Sequence, residues 1–227
     1  MFVLPAAGSF ALFAAAVIAA ELLHRRDDDL GADEAVPDRF AVTAPIVAAG
    51  ALVLGPWPAL LVGAAGSLSV RRLAGDPWRE SIVRALSLGL AGFAGSYAYI
   101  LSGSSTGSVV LPDDLLGLAI FGMSFSAVQT LVNRIASRAT VIETDLLAAA
   151  AEVTLGAALA IAVESNLWYA ALLVPVLILL ERLHWRLIGL RREVAAALET
   201  FANIVDERDG STHGHSQRIA ESVRELA

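Results

Sequence analysis

Seven apolar blocks, joined by short connections, leave this chain few ways to fold. They run at roughly residues 3–23, 40–54, 57–70, 82–101, 115–132, 146–163 and 166–181. A helix needs roughly 20 residues to cross about 30 Å of hydrocarbon. Five blocks meet that length or nearly do. The second and third are short and meet at "LGPWP", where Pro56 and Pro58 break a helix and Gly55 permits a tight turn. That pair forms either two short spans or a re-entrant hairpin, and the parity of the remaining topology is the same in both cases. The expected fold is all-α: a polytopic transmembrane helical bundle over residues 1–181, with about seven spans or five plus a re-entrant pair.

Composition agrees. The chain is 56% hydrophobic and 17% charged, where soluble domains carry about 45–50% apolar and about 25% charged residues. It has no cysteine, which excludes disulfides, thiolate catalysis and cysteine-based zinc sites. All 16 basic residues are arginine, which points to a GC-rich bacterial genome. The net charge of −7 says little, because the signs are segregated by region.

Arginine placement orients the bundle, because basic residues flank spans on the cytoplasmic side. Arg25, Arg26 and Arg39 follow the first block, and Arg71, Arg72, Arg79 and Arg84 lie around the connection after the third. Arg134 and Arg138 follow the fifth, and Arg182, Arg186, Arg191 and Arg192 the seventh. The alternate connections, "GPWP", "SGSSTGSVVLPDD" and "ESN", carry none. The N-terminus is therefore expected outside and the C-terminus in the cytoplasm, in a multi-pass protein of the bacterial inner membrane. The first block reads as a span rather than a cleaved signal peptide. "MFVLPAAGSF" has no basic segment, and the block runs straight into "HRRDDD". Trp57, Trp78, Trp168 and Trp185 fall at predicted span ends, as interfacial anchors do.

Few polar groups lie within the blocks. Glu152 sits mid-span in "LLAAAAEVTLGAALA", where a carboxylate costs a few kcal/mol unless paired, hydrated or protonated. It is a candidate ligand or switch site, with Gln129 and Arg84 as candidate partners. The alternative is a helix-packing role, bonded to Ser124, Gln129 or Arg84. Gln129 and Asn133 lie four apart on one face and are read as joining helices. The small residues Gly89, Gly92, Gly95 and Ser96 predict close helix contact. Pro175 predicts a bend in the last span.

Beyond that span, Leu183, Leu187, Leu190, Val194, Ala197, Phe201 and Ile204 recur at alternating spacings of four and three. This is a heptad seam of about three heptads. Residues 182–206 therefore read as a cytoplasmic signalling helix, expected to pair with its copy in a homodimer. The alternative is one amphipathic helix packing on a downstream domain.

The chain closes on "DERDGSTHGHSQRIAESVRELA". Gly210 breaks the helix, and Ser211 or Thr212 supplies an N-cap for the next one. Over about residues 198–227 this stretch resembles the opening of HD-GYP-type domains of the HD superfamily of metal-dependent phosphohydrolases. The matching residues are Arg208-Asp209, Thr212, Gly214-His215-Ser216 and Arg218-Ile219, followed by Val223 and Leu226. Gly210 and Ser211 stand where the family has Pro and Tyr. The resemblance implies a phosphodiesterase that hydrolyses cyclic di-GMP with metal-activated water. His215 would be an early ligand of a divalent transition metal, iron or manganese. The only other histidines are His24, His184 and His213, and no later His-Asp doublet follows. The chain is thus expected to hold only the start of that domain, at residues 207–227. By itself it is expected to have no catalytic residue, no bound cofactor and no activity.

Two other classes fit the same residues. One is a small-solute-binding or transporter-like membrane protein, suggested by the broken pair at "VLGPWPALLVG" and by Glu152. The other is an anchor for a different output domain, such as a histidine kinase, although the acidic residue and Arg-x-Pro expected after a phosphoacceptor histidine are missing. The expected partners are a second copy, the lipid bilayer and, for the binding reading, a small molecule. Nucleic acid is not among them.

Overall fold

The apolar blocks become seven helices in a computed structural model, which describes residues 6–28, 42–73, 75, 77–137 and 146–208. They are α1 (Ala6–Asp28), α2 (Thr43–Leu54), α3 (Pro56–Leu73), α4 (Trp78–Leu101), α5 (Leu115–Ser137), α6 (Leu146–Ser165) and α7 (Leu167–Arg208). Among the described residues the fold is all-α. One stretch among them, Leu115–Ile135 in α5, is long and apolar enough to cross a membrane by length and composition. The chain divides into two compact units, residues 1–178 and 179–227.

Helix ends follow local chemistry. Gly55 takes φ +88°, a left-handed value that suits glycine, and its N–H caps the Ala51 carbonyl at 3.2 Å. Pro56 and Pro58 then fall in the first turn of α3, where a missing N–H costs nothing. The proline-rich junction therefore separates two helices, the first only 12 residues long. Gly103, at φ +93°, follows the end of α4 in the same way.

Inside the first unit, glycines set the helix spacing. A Cβ on Gly63 would stand 3.1 Å from the Gly89 backbone, so α3 and α4 touch at their main chains. They run antiparallel, since the Trp57 ring meets Phe93 and Arg72 stacks on Trp78 at the two ends of the pair. Gly95 of α4 makes room for Phe121 and Phe125 of α5, also antiparallel, with Tyr99 edge-on to Phe121. Gly66 of α3 takes Val17 of α1, and Gly156 of α6 takes Pro45 and Ala48 of α2. The predicted role of Gly89, Gly92, Gly95 and Ser96 is thus met. Gly92 fits against Val47, and the Ser96 hydroxyl donates to the Ala51 carbonyl at 2.8 Å.

Residues Thr43 through Leu52 of α2 are all buried, so this short helix is covered on every side, as a helix apolar all round must be. The outer surface is oily in turn: Leu61, Leu86, Leu116, Met123, Leu131 and Leu172 are exposed. Buried positions instead include Thr43, Ser67, Ser81, Ser87 and Ser96. These few polar positions sit within an interior that is mostly apolar.

In the second unit the described chain is the helix over residues 179–208, about 45 Å at 1.5 Å per residue. It continues through Gly189. The seam residues Leu183, Leu187, Leu190, Val194, Ala197, Phe201 and Ile204 are all exposed along it.

Candidate functional site

Two polar clusters are built into the first unit, one at each end of its helices. The first gathers on a carboxylate from α1. Val17 meets α3 at Gly66, so Glu21, one turn further on, reaches the α3 residues beyond it. The Ser67 hydroxyl donates to Glu21 at 3.3 Å. Arg71 Nε lies 3.5 Å from one carboxylate oxygen, and Arg84 Nε of α4 lies 3.8 Å from the other. Glu21 is only 2% exposed. One buried carboxylate thus ties α1, α3 and α4 together between two guanidiniums. A buried carboxylate set between guanidiniums from two other helices suits holding those helices together.

The second cluster lies at the opposite end, where the arginine-free connections meet. Gly107 N–H donates to the Leu52 carbonyl at 3.0 Å, Thr106 lies beside Gly55, and Val109 N–H donates to Glu164 of α6 at 2.9 Å. The next residue, Val110, donates its N–H to Asp114 at 2.7 Å. Two adjacent amides thereby hold two carboxylates to one stretch of chain. The Val110 amide, with help from the Ser104 hydroxyl, holds the Asp114 carboxyl below its usual range. Glu164 moves the other way: burial raises it, the Asp114 charge adds to that, and the Val109 amide opposes both. Tyr99 is fully buried, its hydroxyl near Asp114 and Ser104 has no partner at hydrogen-bond geometry, and Glu164 Oε1 is also buried without one. Gly117 of α5 lets these groups pack closely, because a Cβ there would collide with the Ser102 and Ser104 hydroxyls and the Tyr99 ring.

The described residues singled out from the sequence as a site lie on α4, α5 and α6. Arg84 faces Glu21. Glu152 is buried on α6, one turn from Gly156 and so on the side that meets α2. Gln129 is half-buried on α5. His215 and the rest of the HD-like stretch beyond Arg208 lie outside the described residues, as do the loop residues Arg39 and Arg138. Among the described residues, no group of three or more His, Cys, Asp or Glu side chains could hold a metal ion. An apolar groove of about 300 Å³ between α3 and α4, lined by Leu61, Leu68, Ile82 and Leu86, carries no polar group.

Sequence reasoning missed Glu21, Glu164, Asp114 and Tyr99. Glu21 had a signal: it is a carboxylate inside the first block, within reach of arginines at the ends of two others. The second cluster had none, because its members come from α4, the 102–114 connection and the end of α6. Compared with protein-family models, curated proteins and solved structures, the chain has no match.

Proposed function

We propose that this chain is the membrane input and transmission region of a bacterial HD-GYP-type cyclic di-GMP phosphodiesterase. The resemblance at Arg208-Asp209, Gly214-His215-Ser216 and Arg218-Ile219 carries the enzymatic part. The exposed leucines on the helix surfaces support the membrane part, since large apolar surface calls for lipid or another protein to cover it. The three arginine-free connections gather at one end, while Arg71 and Arg84 lie at the other. That arrangement supports a multi-pass protein with its N-terminus outside and its C-terminus in the cytoplasm. The exposed heptad seam on α7 supports a homodimer through which the signal passes.

In this reading His215 contributes one ligand to an iron or manganese site completed by residues beyond this sequence. The test is made on a longer protein that carries them. His215→Ala there lowers bound metal and cyclic di-GMP hydrolysis together, because losing a ligand disturbs both site geometry and water activation. The 227-residue chain assayed alone should show neither. Hydrolysis by the short chain, or a longer form that cleaves no cyclic dinucleotide, overturns the family reading.

One observation favours the second reading, a solute-binding or transporter-like protein. The short α2 ends at Gly55 and is buried on all sides, and broken helices at the centre of a bundle build binding sites in transporters. The two readings are compatible if a binding fold serves as the sensor.

A further inference from the structure

The oxygen cluster at the arginine-free end is not used by the reading above. Its members converge from α4, α6 and the connection between α4 and α5. Asp114 and Glu164 are drawn to neighbouring amides, Val110 and Val109. Each amide engages one carboxylate oxygen, and the second oxygen of Glu164 is buried with no hydrogen-bond partner. Tyr99 supplies an independent sign. It is 0% exposed, and its hydroxyl, near Asp114 and Ser104, has no partner at hydrogen-bond geometry. Burying a hydroxyl and a carboxylate oxygen unpaired is costly, and a bound group that accepts both offsets the cost. Gly117 lets the Ser104 hydroxyl and the Tyr99 ring pack together against α5.

The donor set decides the class of ligand. It consists of two carboxylates and two hydroxyls, with no imidazole or sulfur. Oxygen donors suit hard cations rather than transition metals, and paired carboxylates favour a divalent charge. We propose that Asp114, Glu164, Tyr99 and Ser104 form a binding site for a hard divalent cation of the calcium class. Calcium fits better than magnesium because the donors come from two helices and a loop in an uneven arrangement. Calcium tolerates irregular shells, whereas magnesium demands a near-ideal octahedron. With only two carboxylates the site falls in the weak range, with a Kd of about 10⁻⁴–10⁻³ M. The binding does not depend on membrane orientation. Its placement on the outer face does, and that part rests on the reading proposed above.

The test uses the purified full chain in detergent, titrated with calcium chloride against choline chloride of matched ionic strength. Calcium should raise the midpoint of thermal unfolding, and calorimetry should give one equivalent bound. Glu164→Gln should weaken binding by about tenfold or more, since it removes a charge from the shell. Tyr99→Phe should fold as well as the parent chain without calcium, because it deletes an unpaired buried hydroxyl, and yet lose most of the calcium shift. Ser104→Ala provides a third variant should Glu164→Gln fail to fold. Failure of calcium to bind the parent chain, or equal binding by the parent chain, Tyr99→Phe and Ser104→Ala, overturns the site. Correct membrane topology with no calcium binding leaves the proposed function standing and removes only this site.

Discussion

At the scale of single residues, Glu21 and Glu164 make opposite demands. Glu21 is held by Ser67, Arg71 and Arg84 in a buried setting. Removing one partner of a buried ion pair typically costs about 3–5 kcal/mol, and the part-exposed Arg71 and Arg84 put this cluster toward the lower end. Glu21→Ala should lower stability in detergent by that order, and Glu80→Ala, at an exposed position on α4, should be near neutral. Similar melting of the two variants would remove Glu21 from its structural role. Glu164 has its carboxyl raised above its ordinary value of 4.5 by burial and by Asp114. A carboxyl raised on folding contributes stability below its unfolded value and loses it as pH rises through the folded one. In divalent-free buffer, Glu164→Gln should therefore gain stability relative to the parent chain as pH rises above about 4.5. A difference that stays flat or falls over that range contradicts the assignment.

Among whole elements, α7 carries the heptad face expected to pair between copies, and the structure leaves that face exposed. Leu187 and Val194 are each more than half exposed, so the seam is not used within the described chain. Pairing with a second copy would cover it by knobs-into-holes packing. Single cysteines at Leu187, Leu190 and Val194 should crosslink between copies, with Glu193, off the seam, low. Uniform crosslinking along the helix would instead favour packing on a downstream domain. The pair α2 and α3 illustrates a different point. "LGPWP" predicted a break, and the break is there, but burial of α2 on every side was not visible in its letters. An apolar 12-residue run reads the same whether it lies at the edge or at the centre of a bundle, and only the arrangement of α4 and α6 around it decides.

At the scale of the whole molecule, the two ends of the first unit differ in charge and in chemistry, and the topology can be measured. Ser105, exposed in the arginine-free connection, should react as cysteine with an impermeant thiol reagent in intact cells. Cysteine at Glu80, beside Arg79 at the other end, should react only after permeabilisation. The reverse pattern inverts the orientation. The sequence alone determined the helical class, the alternation of charged and uncharged connections and the heptad face of α7. Each is a one-dimensional signal: block length, arginine placement and residue spacing. Tertiary structure decided the clusters. Arg84 faces Glu21 because glycine contacts bring α4 against α3 while Val17 docks α1 on Gly66. Tyr99, Asp114 and Glu164 converge because the 102–114 connection folds back over the ends of α2 and α6. Which side chains meet depends on helix rotation and spacing summed over several contacts, and no stretch of sequence encodes that sum by itself.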